Sequence, residues 1–336
     1  MRNVCFVKQN APLIIDCHNH LGVDLLFYLN GFHPYAQDLP ALVTEGRRHG
    51  VDRWVVFPMV SSLFFDLAAM QAGRLEPGGL ERVPYAFENE RLLREVHELH
   101  PSLGRWTLPF VIVDPMREPA AQAQVLRTLR SRFPFHGLKV QGTIIQADVG
   151  ALRREGRPLL DFAAEFDLPF LIHSSIAPDD AWSQAATILQ VAAATPEVRF
   201  CLAHSCRFDR ASLDRVAELP NAWFDCSAHR IHCEAVQRDL PLVARAADRF
   251  PADYRDPAAV LHALAEAYPN KLIWGSDTPF QSYVAMHDGQ LLSLLSTYEE
   301  EVACLHGLPA PLRDRVAHRN LLDLLRLPDE SLLARS

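Results

Sequence analysis

The chain has 336 residues, 49% of them apolar and 22% charged, with 33 Lys and Arg against 41 Asp and Glu for a formal net charge of −8. That balance suits a globular protein with an ample core and excludes disorder, collagen and coiled coil as the dominant state. The negative sum supplies no global field for nucleic acid or an anionic membrane, and no run of ~18 apolar residues is present to span a bilayer. The opening stretch, MRNVCFVKQNAPLIID, is broken by Lys8, Gln9 and Asn10 and lacks the apolar region of a secretory signal. Seven cysteines, at positions 5, 17, 201, 206, 226, 233 and 304, form no CxxC pair. They read as reduced, mostly buried thiols, and the expectation is a cytoplasmic protein acting on a small molecule.

Eight short apolar runs follow one another along the chain: Leu13–Cys17, Arg53–Phe57, Leu108–Val113, Gly137–Val140, Pro169–Ile172, Arg199–Ala203, Ala222–Cys226 and Lys271–Trp274. Nearly continuous apolar runs are what strands buried on both faces require. Between them, apolar residues recur at helical spacing over Pro40–His49, Glu118–Phe133, Pro158–Phe166, Asp179–Ala194 and Asp209–Leu219. Strand and helix in alternation predict parallel βα units, and eight of them predict closure into a (β/α)8 barrel. An open doubly wound sheet is the other arrangement. It calls for a Gly-rich turn after the first strand, which Asp16–Gly22 (DCHNHLG) does not provide. The connections 21–39, 59–100 and 227–270 are longer than a barrel needs. They follow strands 1, 2 and 7 and so fall on the C-terminal side, where barrels build active sites. No linker divides the chain, so residues 1–336 are expected to form one domain. A terminal helix pair is expected at about 310–327, with Asn320 as an N-cap.

The strand ends carry the chemistry. Strand 1 runs into His18-Asn19-His20, strand 4 carries Lys139, strand 5 ends in His173, strand 6 in His204 and strand 8 in Asp277. With 15 His in the chain, chance gives roughly 0.7 HxH pairs, so that motif alone is weak. The conjunction is strong, because each later residue falls at a strand end in order. Side chains alternate along a strand, so His18 and His20 face one way and can share an ion, while Cys17 alternates away into the core. Neutral imidazoles with one carboxylate suit Zn²⁺ or a similar divalent ion and leave a position for water.

At this point the sequence resembles the amidohydrolase superfamily, in the branch that includes aminocarboxymuconate-semialdehyde decarboxylase. The stretches that carry the resemblance are IIDCHNHLG, HGLKVQG, LPFLIHSS, VRFCLAHSC, NAWFDCSAH and KLIWGSDTPF, spanning Ile14 to Phe280, together with the tail HRNLLDLL. The resemblance implies one divalent metal, Zn²⁺ first, on His18, His20, His173 and Asp277, with His204 assisting catalysis and Asp277 moving the proton. It also implies a homodimer. In some branches the strand-4 Lys is carboxylated and bridges a second metal; for Lys139 that reading stands beside a direct substrate contact and a purely structural one. Arg207 and Arg230 are candidates to hold a substrate carboxylate, since a planar guanidinium matches it bidentately. Tyr283, His229 and His232 lie on mouth-side loops; Tyr283 is a further candidate for substrate contact, and His229 and His232 resemble an HxxH ligand pair, though histidines on the loop after strand 7 more often line the pocket. Phe27, Tyr28, Phe32, Phe64 and Phe65 suggest apolar lids. The leading expectation is hydrolysis of a C–N or C–O bond at a carbonyl (amide, lactam, lactone or ester) through an activated water. Non-oxidative decarboxylation of an aromatic or unsaturated acid would use the same ligands. A barrel that binds without catalysing is the reading of another class.

Overall fold

The computed structural model describes residues 13–287 and 289–328. Each of the eight expected runs is a strand, and all eight lie parallel. They are β1 (Ile15–Val23), β3 (Arg53–Pro58), β4 (Thr107–Ile112), β5 (Gly137–Val140), β6 (Phe170–Ile172), β7 (Phe200–Leu202), β8 (Ala222–Asp225) and β9 (Leu272–Ile273). A two-residue strand, β2 (Ala36–Gln37), pairs antiparallel with the end of β1. Beyond β9 the ladder closes onto β1: Cys17 N donates to Trp274 O at 3.2 Å, Asp277 N to His18 O at 3.0 Å and His20 N to Thr278 O at 2.8 Å. The fold is a (β/α)8 barrel. Closure brings β1 and residues 274–278 so near that a Cβ on Gly275 would lie 2.9 Å from Cys17 Sγ and from His18 Cβ, so only glycine fits there.

Two apolar layers follow from the strand alternation. Residues such as Trp54, Val56, Leu138 and Val140 face the outer helices. Their neighbours Val55, Phe57, Phe110, Leu171 and Cys201 fill the barrel, and Leu321, Leu322, Leu324 and Leu325 from the C-terminal helix plug its lower end. The tail is one helical run, Ala310–Leu325, with a π turn at Arg315–Arg319. This corrects the expected helix pair. Asn320 is helical rather than a cap; its side chain donates to Pro269 O at 2.9 Å and Leu272 O at 2.7 Å, tying the run to β9. The amide therefore serves a tertiary contact, which local capping chemistry does not reveal.

The three long connections carry structure of their own. The first holds a helix at Leu25–Leu29 and the second helices at Leu67–Gln71 and Ala86–Arg94. The third holds helices at His229–Gln237 and Pro257–Ala267. A hairpin not anticipated from the sequence, β10 (Tyr283–His287) with β11 (Gln290–Leu294), rises beside the mouth. Its signal was the dipeptide Asp288-Gly289 between apolar runs. Among the described residues no helix is long and apolar enough to cross a membrane.

Candidate metal centre at the barrel mouth

Ile15 and Cys17 belong to the barrel interior, so strict alternation would turn His18 and His20 outward. The β1–β3 register shifts between Asp16 and Asn19, and this resets the phase. Both histidines then face the mouth, their rings edge-on to Phe57 with centroids 4.9 and 4.5 Å away. The expectation for Cys17 is corrected accordingly. It is buried core, but it lies inside the barrel beneath the histidines rather than on the outer face.

Each imidazole is aimed by the nitrogen it turns away from the mouth. His18 Nδ1 bonds Asp225 Oδ2 at 2.9 Å, and His20 Nδ1 donates to Pro58 O at 3.2 Å. The opposite Nε2 atoms converge on Asp277 Oδ1, at 3.2 Å from His18 and 3.6 Å from His20. Burial holds His20 down at about 4, so it is a neutral donor near pH 7. His204 completes the innermost group: ligand atoms of His18, His204 and Asp277 all lie within 4.8 Å of one another. This donor set of buried imidazoles and one carboxylate, each ring fixed from behind, fits a divalent ion.

His204 sits on an unusual turn. Five consecutive residues, His204–Phe208, have positive φ (64, 48, 47, 55 and 62°). A left-handed turn of L-residues costs roughly 1–2 kcal/mol per residue, so the surroundings must enforce it. They do: His204 N donates to Asp225 Oδ1 at 3.0 Å, Ala244 N to Arg207 O at 3.0 Å and Phe250 N to Phe208 O at 2.9 Å. The reversed turn sends His204 inward and folds the Arg207 side chain back over the same mouth. His204 Nδ1 meets the Ser227 hydroxyl at 2.9 Å and its Nε2 meets His173 Nδ1 at 2.9 Å. His173 thus stands one imidazole behind the innermost group, with its Nε2 3.1 Å from Arg207 Nη2.

The remaining candidates separate clearly. Lys139 is wholly buried, its Nζ 3.1 Å from His18 Nε2 and 4.7 Å above the Phe57 ring; burial lowers it to about 8. Arg207 Nη1 bonds His232 Nε2, so His232 belongs to the mouth. His229 does not, because its Nε2 bonds Pro257 O at 2.8 Å behind the helix. Arg230 turns to Glu300, at 3.0 Å, and its N–H to Glu301. Tyr283 packs on Phe27 with centroids 6.1 Å apart. Neither Arg230 nor Tyr283 lines the main cavity at the mouth. Of the aromatic lid candidates, Phe27 packs on Phe280 and Phe32, Phe64 and Phe65 join a satellite core with Tyr85, and Tyr28 is exposed against Tyr35. Sequence reading missed Asp225 and Ser227. A carboxylate closing the apolar run AWFD was the available signal.

A cavity of about 490 Å³ opens beside this centre and meets it at His173 and Arg207. His173 and Arg207 line it on the side of the centre, Trp182, Leu240, Leu242 and Leu292 form much of its apolar wall, and Asp179, Asp180 and Arg238 add charged groups. The fold and the site thus define a (β/α)8 barrel enzyme with a mouth fit for a divalent ion. A family model described as Amidohydrolase matches residues 15–327, and the chain belongs to that family.

Over 59 residues the chain is 37% identical to 4-sulfomuconolactone hydrolase from Rhizobium radiobacter, a match covering 16% of this chain and 20% of that protein's length. Solved structures share the fold at low identity. Amidohydrolase 2 from Bifidobacterium longum subsp. infantis superposes with a TM-score of 0.54 at 16% identity, covering 95% of this chain and 100% of that one. An uncharacterized TIM-barrel protein from Bordetella bronchiseptica gives 0.56 at 12% identity over 96% and 98% of the two chains. Dihydroorotase from Campylobacter jejuni gives 0.53 at 13% identity over 94% and 84%.

Proposed function

We propose that the protein is a metal-dependent hydrolase that opens a C–O or C–N bond at a carbonyl of a small molecule, a lactone or ester first. The observation that supports it is the convergence of His18 Nε2 and His20 Nε2 on Asp277 Oδ1, at 3.2 and 3.6 Å, with the other ring nitrogens tied behind. The local likeness to a lactone hydrolase points the same way. His18, His20 and Asp277 would hold the ion; the sequence resemblance adds His173, whose two ring nitrogens here meet His204 and Arg207, so it would join by releasing one of them. A bound divalent ion there supplies a water acidic enough, with a pKa near ~7, to attack at neutral pH.

The chain's own groups do the rest. Asp277 takes the proton of the attacking water and returns it to the leaving group. His204, 3.8 Å from Asp277 Oδ2 and braced by Ser227, stabilises charge developing on the carbonyl oxygen. The apolar wall of the cavity excludes bulk water from the reacting carbonyl.

The test is a panel of lactones, esters, amides and aromatic acids in ¹⁸O water, with metal content measured on each variant. Hydrolysis with ¹⁸O incorporation is expected. His204→Ala should lower turnover by roughly 10²–10³-fold with metal retained, whereas His18→Ala with His20→Ala should lose the metal. Arg207 beside His173 is the observation that favours decarboxylation as the second reading. CO2 release without ¹⁸O uptake would establish that reading instead, and retention of metal by the double variant would remove the ligand assignment.

A further inference from the structure

Arg207 is a mostly buried cation at the floor of the cavity, and its hydrogen-bond partners are all uncharged. Its Nε donates to Ser174 O at 2.9 Å, Nη1 meets His232 Nε2, and Nη2 meets His173 Nε2 at 3.1 Å. An imidazole is neutral or positive and never an anion, so neither ring offsets the guanidinium charge. The nearby carboxylates of Asp277, Asp180 and Asp225 act on it only through space, with no hydrogen bond to it. Asp180 is otherwise engaged, with Thr143 Oγ1 at 2.7 Å, Trp182 N at 2.9 Å and Ser183 N at 3.1 Å. A buried cation without a contacting anion is costly, and such a charge is ordinarily paired. A guanidinium has five N–H donors; three are used, and one remains on each of Nη1 and Nη2 of a side chain that lines the cavity.

We propose that Arg207 is the specificity residue of this cleft, and that the substrate is an acid whose carboxylate docks on the guanidinium. Arg207 and His204 bond opposite nitrogens of His173, so the docked carboxylate and the reacting carbonyl are held one imidazole apart. That spacing selects an acid with a short spacer between its carboxylate and its scissile carbonyl. The wall formed by Trp182, Leu240, Leu242 and Leu292 receives the hydrocarbon of that spacer, while Arg238, Asp179 and Asp180 also line the cavity. The strained turn His204–Phe208 sets both contacts at once, since it carries the histidine and the arginine on one reversal of the backbone. The inference rests on the hydrolase reading only in taking this cleft as the substrate cleft.

Binding of glutarate and of its neutral diamide, measured by calorimetry on the metal-loaded protein, tests it without turnover. Glutarate should bind at least tenfold more tightly than the diamide. Arg207→Met should abolish that preference and Arg207→Lys should keep part of it. On the unaltered protein, glutarate but not the diamide should slow phenylglyoxal modification at Arg207, read by mass spectrometry; this arm decides the matter if the methionine variant misfolds. Equal binding of acid and diamide, a preference that survives Arg207→Met, or modification unaffected by glutarate would overturn the proposal. The two readings fail separately. Hydrolysis of neutral lactones that is indifferent to Arg207→Met retires the acid subsite alone, whereas an Arg207-dependent preference in a protein that hydrolyses nothing retires the hydrolase alone.

Discussion

Both oxygens of the buried Asp225 carboxylate are engaged: Oδ2 with His18 Nδ1 at 2.9 Å, Oδ1 with His204 N at 3.0 Å and Ser227 N at 2.9 Å. Burial alone would raise its pKa, but the electrostatic attraction of the His18 ring and the hydrogen bonds from His18, Ser227 and the His204 backbone hold it below the ordinary carboxylate value. One side chain therefore sets the tautomer of His18 and anchors the start of the His204 turn. Asp225→Asn keeps the size and some of the acceptors, but it puts an amide N–H where His18 needs an acceptor. The imidazole would then carry its proton on Nε2, the atom needed for the ion. Metal affinity should fall by roughly 10–100-fold, read by competition with a chelator. Unchanged affinity would mean that another group orients His18.

At the scale of the element, the left-handed turn His204–Phe208 concentrates strain where the chemistry is. Ser205 has φ 48° and ψ 37°, and its hydroxyl is buried without a partner. Glycine would remove both the Cβ conflict and the stranded hydroxyl, against an unfolded-state entropy cost of roughly 0.5–1 kcal/mol. Ser205→Gly should therefore raise the unfolding free energy by about 1 kcal/mol, measured by urea titration. A loss of stability would show that the turn is relaxed in its surroundings. The C-terminal helical run is the other decisive element. Its leucines close the barrel from below, and Asn320 fixes it to β9 through two backbone carbonyls.

Across the whole molecule, a buried acid couples stability to pH. Glu301, on the helix Tyr298–His306, is fully buried, and that burial raises its pKa from 4.5 to about 8. Its Oε1 accepts from Arg230 N at 3.2 Å, while Oε2 has no partner. The folded chain keeps a proton up to about 8 that the unfolded chain releases near 4.5, so the folded state binds more protons between those values. This contribution makes the unfolding free energy fall as pH rises through that window, and above about 8 the loss is complete. Glu301→Gln should gain stability over the wild type between about pH 5 and 8, in parallel urea titrations, and the difference should level off above. A difference that does not change with pH would show that Glu301 ionises freely in the fold.

The period of the apolar runs and their number were enough to give eight parallel strands, because strands buried on both faces read as continuous apolar runs, and the missing Gly-rich turn after strand 1 favoured a closed barrel over an open doubly wound sheet. The polar residue at each strand end likewise pointed to His18, His20, Lys139, His173, His204 and Asp277, since strand ends and the loops after them build a barrel mouth. What the sequence could not give was phase and distance. Strict alternation puts Cys17 and His18 on opposite faces, and only the register shift in β1 decides which of them looks into the mouth. Arg207 and Arg230 are equally plausible from chain position. Tertiary contacts send the first over the site and the second to Glu300 and Glu301, because a guanidinium goes to whichever acceptors the fold leaves within its reach. Asp225 and the reversed turn at His204–Phe208 escaped for the same reason: each has its meaning only in contacts between strands that are remote in the chain.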